Sequence, residues 1–171
     1  MIWSFMEIRK NMKPELLICS ARDAFRYVLS HFNDPQTGRP PQTKDHYAAI
    51  SIQDSGEWSY GFMLTTNRFC DAVLTLAFDD FEEPESGVCL MNEHQAEKII
   101  AFLEQNRNTE TILIHCFAGK SRSAAVGKFA AEYLGLPEPD CTHFNLWVYD
   151  TLMKYMKIIK HNAQNVQDSE H

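Results

Sequence analysis

The chain has 171 residues, of which 44% are hydrophobic and 23% charged, and its formal net charge is −7. This composition is typical of a globular protein and excludes a fibrous or disordered one. We expect one domain over residues 1–171, with a core at about 15–160 and a polar tail at 162–171.

The charge and the hydropathy pattern limit the partners. A net charge of −7 disfavours nucleic acid and anionic membranes. The N-terminal stretch MIWSFMEIRKNMK is too weakly apolar for a secretory signal, and no apolar run has the roughly eighteen residues of a membrane span. We therefore expect a soluble, cytoplasmic protein, for which a monomer is plausible although the sequence does not decide the oligomeric state.

The first half of the chain predicts a strand, a helix and two further strands. The apolar run ELLICS (15–20) is a strand candidate, and Ser20 can cap a helix over ARDAFRYVLSHF, whose apolar residues recur at helical spacing. Segment 33–45, rich in Pro, Gly and Asn, is a loop that either frames a site or is a tolerated surface insertion. Two more strands are predicted at YAAISI (47–52) and DAVLTLAF (71–78).

The second half begins with a helix and returns to a strand. Asn92 and Gln95 form a capping-box pattern at the start of NEHQAEKIIAFLEQNRN, which predicts a helix. The apolar run TILIHC (111–116) predicts a fourth buried strand.

Two helices complete the predicted fold. The first lies in the segment 121–137, where Gly135 ends the helix and Pro137 acts as a stop. The second covers 141–161 and is followed by a frayed polar tail. Strands that alternate with helices predict an α/β fold, with a mostly parallel central sheet of about four to five strands and helices on both faces.

The stretch IHCFAGKSRSA (114–124) joins the fourth strand to the following helix. Such a loop directs backbone N–H groups into the crevice where α/β proteins bind ligands, and Gly119 allows the cramped backbone that an anion cradle needs. Arg122 can grip two oxygens of a phosphate with its planar guanidinium. Cys116 then lies at the floor of the cradle, where the N–H groups and the helix dipole favour a nucleophilic thiolate. Ser123 can hydrogen-bond its sulfur.

These residues carry a family resemblance. His115-Cys116, Gly119 and Arg122-Ser123 resemble the signature His-Cys-x-x-Gly-x-x-Arg-Ser/Thr of the cysteine-dependent protein tyrosine phosphatase superfamily, in its compact dual-specificity branch. The resemblance implies a phosphatase-like fold, a phosphorylated protein or peptide as substrate, a phosphocysteine intermediate on Cys116, and no metal or organic cofactor. It also implies a phosphate-binding loop formed by Phe117, Ala118, Gly119, Lys120, Ser121 and Arg122.

The family also needs a carboxylic acid a few dozen residues upstream of the cysteine, just after a strand. The segment LAFDDFEEP provides Asp80 as the favoured candidate and Asp79 as the alternative. The pair could instead belong to a solvated acidic turn with Glu82 and Glu83.

Several alternatives stay open. A phosphoinositide or RNA-end phosphatase is a second hypothesis, because AGK within the loop also occurs in lipid-acting relatives, and a silent phosphate-binding module is a third. The Trp-Pro-Asp form of the acid loop is missing, so preference for phosphotyrosine over phosphoserine or phosphothreonine is undecided.

Four side chains near the motif have more than one interpretation. His115 could be a ligand or a base, but we interpret it as a structural residue that orients the loop, a role that the family resemblance supports. Cys19 is either an inert thiol or a partner for Cys116 under oxidation. Lys120 lines the pocket rim or is simply solvated, and Phe117 stacks on an aryl phosphate or fills a gap in the core.

Overall fold

The structure is a computed structural model that describes residues 13–33, 36–39, 41, 45–56 and 62–169. The N-terminal stretch considered as a secretory signal lies outside these residues except for Lys13. The predicted loop over 33–45 is described only in part.

A four-stranded parallel sheet forms the centre of the described part of the chain. Its strands are β1 (Glu15–Ser20), β2 (Tyr47–Gln53), β3 (Cys70–Ala77) and β4 (Thr111–Cys116). Their order across the sheet is β1-β4-β2-β3, and every neighbouring pair is parallel. The predicted α/β architecture and its four strands are confirmed, with shifts of one residue at the ends of β2 and β3. Because all strands run the same way, their carboxyl ends meet at one edge.

Within the described residues, four helices flank the sheet: α1 (Ala21–Ser30), α2 (Glu93–Gln105), α3 (Arg122–Leu134) and α4 (Leu146–Ser169). The Ser20 side chain accepts the N–H of Asp23 at the start of α1. Asn92 and Gln95 form the predicted capping box of α2. Gly135 ends α3 with φ +65°, a left-handed conformation that favours glycine. The capping predictions for these three helices are therefore confirmed.

The helices cover both faces of the sheet, as predicted. Alternate residues of a strand point to opposite faces, so Leu113 packs near Ala24 of α1, whereas Ile112 and Ile114 lie in a larger cluster on the other face. That cluster includes side chains from the three remaining helices, among them Ile99, Phe129 and Leu152. This double burial explains why β4 is mostly apolar and why its burial is continuous.

The last helix differs from the prediction at both ends. It begins at Leu146 rather than at 141, because the Asn145 side chain accepts the N–H of Val148 at 2.9 Å and so caps the helix there. It continues to Ser169, so the frayed tail predicted from 162 onward is wrong as far as that residue. No proline or glycine interrupts this segment, and each added residue contributes one more helical hydrogen bond.

The described residues contain neither a membrane-spanning helix nor a group of metal-ligating side chains. None of the described helices combines the length and apolarity needed to cross a membrane. Within the same part of the chain, no three His, Cys, Asp or Glu side chains are grouped so that they could hold a metal ion.

Candidate active site

The signature loop, residues 117–121, leaves β4 at the carboxyl edge of the sheet and enters α3. Gly119 has φ +74°, and a Cβ placed on it would lie 2.4 Å from both the carbonyl carbon of Cys19 and the nitrogen of Ser20. The N–H of Ala21 donates to the carbonyl oxygen of Phe117 at 3.1 Å. The loop is thus packed against the backbone that joins β1 to α1, and only glycine fits at its tightest point.

Cys116 ends β4 and is 1% exposed. Its Sγ accepts the N–H of Gly119 at 3.3 Å and lies 3.2 Å from the hydroxyl of Ser123 in the first turn of α3. Both groups can donate to a thiolate, and the N-terminal end of α3 adds a favourable dipole. The structure thus brings together Cys116, Gly119 and Ser123, which the sequence predicted to lie close to one another.

Arg122 begins α3 and is buried, with 3% of its surface exposed. Its Nη1 donates to the carbonyl oxygen of Phe78 at 2.7 Å and to that of Gln53 at 3.4 Å. Its Nη2 lies 2.8 Å from a carboxylate oxygen of Asp54. The guanidinium is therefore fixed by the ends of β2 and β3, and its charge is balanced by a carboxylate that the sequence analysis did not single out.

Asp80 lies against the signature loop. Its Oδ1 accepts the hydroxyl of Ser121 at 2.6 Å and the amide of Asn145 at 2.8 Å. Its Oδ2 is 3.9 Å from Nε of Arg122. The structure thus brings the favoured acid candidate to the same place as the cysteine loop.

Asp79, the alternative acid, is used differently. Its carboxylate accepts the N–H of Cys89 at 2.8 Å and both the N–H and the hydroxyl of Ser55 at 3.0 and 2.7 Å. The N–H of Cys89, followed by the Ser55 donors, holds the pKa of Asp79 below its ordinary value. These bonds stabilise the ionised carboxylate of Asp79. They also tie the segment that carries Asp79 and Asp80, called here the acid loop, to the end of β2, which is a structural role.

His115 and Cys19 lie next to Cys116, because His115 precedes it in β4 and Cys19 pairs with His115 across the sheet. His115 is fully buried, its Nδ1 is 3.4 Å from the carbonyl oxygen of Cys116, and burial lowers its pKa. Burial, with smaller effects from Asp23 and Cys116, raises the pKa of Cys19 to about 12. A protonated thiol reacts slowly, and all five cysteines are free in the structure.

Exposed side chains form the rim of the loop. Ala118 and Lys120 are exposed, and Phe117 is 66% exposed, so the interpretation of Phe117 as a core plug is wrong. A second aromatic residue, Phe81, follows Asp80 and is 43% exposed. The residues that follow the cysteine and the acid candidate therefore both present aromatic surface to solvent.

The sequence analysis missed Asp54 and Asn145. Asn145 is separated from Asp80 by 65 residues, and nothing in its local pattern distinguishes it from a helix cap. Asp54 directly follows β2, and the parallel topology places it at the same sheet edge as Cys116. That edge position was the one available signal for Asp54.

Comparisons with known proteins gave limited similarity. No family model and no curated protein matches the chain. Among solved structures, human DUSP28 is 16% identical with a TM-score of 0.46, and the match covers 87% of this chain and 96% of that one. Tk-PTP, solved in its active form, is 19% identical with a TM-score of 0.41, and the match covers 86% of this chain and 80% of that one. The first is a dual-specificity phosphatase and the second a protein tyrosine phosphatase.

Proposed function

We propose that the chain is a cysteine-dependent phosphomonoester hydrolase of the protein tyrosine or dual-specificity type. The observation that carries this proposal is that the Cys116 sulfur contacts the Gly119 N–H and the Ser123 hydroxyl, in a loop that leads directly to the buried Arg122 at the start of α3. A thiolate held by donors, with a fixed guanidinium at the end of the same loop, is suited to attack a bound phosphoryl group.

In the first step, the Cys116 thiolate attacks phosphorus, a sulfur–phosphorus bond forms, and the bond to the leaving oxygen breaks. Asp80, protonated at this stage, gives its proton to that oxygen. Arg122 and the backbone N–H groups of residues 117–122 bind the phosphoryl oxygens and stabilise the charge of the transition state.

In the second step, water attacks the phosphocysteine and inorganic phosphate leaves. Asp80, now a carboxylate, accepts the proton of the water, and the sulfur–phosphorus bond breaks. The Ser123 hydroxyl donates to the departing thiolate, which the 3.2 Å contact in the free protein supports. No metal or organic cofactor takes part in either step.

The proposed substrate is a phosphorylated protein or peptide. The exposed rings of Phe117 and Phe81 support contact with an aryl phosphate, because they follow the cysteine and the acid in the chain. We therefore expect phosphotyrosyl peptides to be hydrolysed faster than phosphoseryl or phosphothreonyl peptides of the same sequence.

The test is hydrolysis of 4-nitrophenyl phosphate across pH, in a reducing buffer with a metal chelator. Cys116→Ser abolishes turnover if the thiolate is the nucleophile. Asp80→Asn flattens the basic limb of the pH profile and lowers turnover by about 100-fold or more, because hydrolysis of the phosphocysteine loses its general base, and general acid–base catalysis contributes about 10²- to 10⁴-fold.

Asp79→Asn is the matched control, because it removes the neighbouring carboxylate. We expect it to lower stability while leaving the pH profile of the folded enzyme in place. The assignment of Asp80 is wrong if the two aspartate variants exchange these results. A wild-type protein that binds tungstate but hydrolyses nothing is a phosphate-binding module.

A further inference from the structure

Asn145 connects three parts of the candidate active site. It is 1% exposed and lies immediately before α4. Its side-chain Nδ2 donates to Oδ1 of Asp80 at 2.8 Å and to the carbonyl oxygen of Phe81 at 3.1 Å. Its backbone N–H donates to the carbonyl oxygen of Ser121 at 3.2 Å, and its side-chain oxygen accepts the N–H of Val148. The acid loop, the signature loop and the start of α4 are thus joined at one buried side chain.

These contacts distinguish the two oxygens of Asp80. Oδ1 accepts hydrogen bonds from both Ser121 and Asn145, at 2.6 and 2.8 Å. Oδ2 lies on the side of Arg122, 3.9 Å from Nε. A carboxyl group held by one oxygen in this way can rotate little, so its other oxygen stays on the side of Arg122, the residue proposed to bind the phosphoryl group.

The uncharged amide suits this place. A lysine or arginine here would favour the ionised form of a carboxylate much more strongly than an amide does. An acid that must carry a proton in one step and accept one in the next needs an anchor that holds either form. The two Nδ2 hydrogens and the Oδ1 acceptor of Asn145 all have partners, so the side chain is itself fixed.

We propose that Asn145 is a positioning residue that orients Asp80, so that Oδ2 exchanges the proton with the leaving group. This inference rests on the proposed phosphatase function. Asn145 acts through Asp80 and not on the substrate. Loss of Asn145 therefore affects the reaction only as far as the reaction needs a general acid. Substrates with poor leaving groups need the acid most, and substrates with good leaving groups need it least.

The test compares kcat/KM for phenyl phosphate, a poor leaving group, with kcat/KM for 4-nitrophenyl phosphate, a good one. The variants are Asn145→Ser and Asn145→Asp, because both residues keep an oxygen acceptor for the N–H of Val148 and both lack the side-chain amide that donates to Asp80. Thermal unfolding and tungstate binding show whether each variant keeps its fold and its anion site, and at least one is expected to keep both.

We expect kcat/KM for phenyl phosphate to fall by about 10- to 100-fold and kcat/KM for 4-nitrophenyl phosphate by less than about threefold. Asp80→Asn removes the acid completely, so the ratio of its losses in kcat/KM on the two substrates is the upper limit for the Asn145 variants. Equal losses on both substrates, or no loss on phenyl phosphate, overturn the inference while leaving the phosphatase function intact. A wild-type enzyme that hydrolyses neither substrate refutes the proposed function, and the inference fails with it.

Discussion

Replacing Gly119 by alanine is expected to disrupt the signature loop. The residue has φ +74°, and an added Cβ would lie 2.4 Å from backbone atoms of Cys19 and Ser20. Carbon atoms normally approach to about 3.5–4.0 Å, so the loop or the strand must move by about 1 Å. The Cys19 and Ser20 backbone is paired with His115 and Cys116 in the sheet, and the loop is therefore the part that moves.

A matched control, Gly135→Ala, separates the cost of the left-handed conformation from the cost of the backbone clash. Gly135 has a similar φ of +65°, but a Cβ there would meet only the Lys13 ammonium nitrogen, at 3.8 Å. Gly135→Ala therefore costs the left-handed conformation alone, about 1–2 kcal/mol, which lowers Tm by about 2–8 °C for a chain of this length. Gly119→Ala carries the same cost and the backbone clash in addition.

The assays are thermal unfolding, equilibrium tungstate binding and kcat/KM for an aryl phosphate. We expect Gly119→Ala to lower Tm more than Gly135→Ala does. A 1 Å displacement of catalytic groups costs about 100-fold in activity, and we expect weaker tungstate binding as well. Equal Tm values for the two variants, with tungstate affinity unchanged in Gly119→Ala, would refute this reasoning about the close approach of the loop to β1.

Three further variants test the surroundings of the site and the core. Asp54→Asn keeps an oxygen for Arg122 and removes a negative charge, so tungstate should bind roughly two- to fivefold more tightly, equivalent to about 0.5–1 kcal/mol in a titration. Burial alone would raise the pKa of Asp45, but hydrogen bonds from Tyr27 and Thr111, together with the nearby His31, lower it. Its ionised form therefore stabilises the fold above about pH 4, and the difference in unfolding free energy between wild type and Asp45→Asn should shrink as pH falls below that value. Leu152→Ala empties a fully buried position and should cost about 2–5 kcal/mol in denaturant unfolding. A pH-independent difference for Asp45, weaker binding for Asp54→Asn, or a loss below about 1 kcal/mol for Leu152→Ala would contradict the respective prediction.

The parts of the fold that depend on local sequence could be predicted from it. The predicted bounds of β1 and β4 match the observed ones, because both strands are short runs of mostly apolar residues. Ser20, Asn92 and Gly135 marked helix ends, since capping depends on a residue and its near neighbours. The cysteine loop is likewise contiguous, so its residues were identified together.

Contacts between distant segments could not be predicted in the same way. The start of α4 depends on Asn145, whose backbone bonds to Ser121 in another loop, and helical periodicity from 141 onward carried no sign of that contact. Asp79 and Asp80 differ in their contacts. Asp79 accepts hydrogen bonds from Ser55 and Cys89, whereas Asp80 accepts one from Ser121 in the signature loop. The side chains of adjacent residues point in different directions, and only the tertiary structure shows which groups each side chain contacts.

The most direct test of the proposed mechanism is to trap the phosphoenzyme. Asp80→Asn is mixed with excess 4-nitrophenyl phosphate, whose good leaving group departs with little help from an acid, and the reaction is quenched rapidly for intact-mass measurement and peptide mapping. We expect a gain of one phosphoryl group at Cys116 that persists because water attack lacks its base, and no gain in the double variant Cys116→Ser, Asp80→Asn. A phosphoryl group on another residue, or turnover without any phosphoenzyme, would contradict nucleophilic catalysis by Cys116.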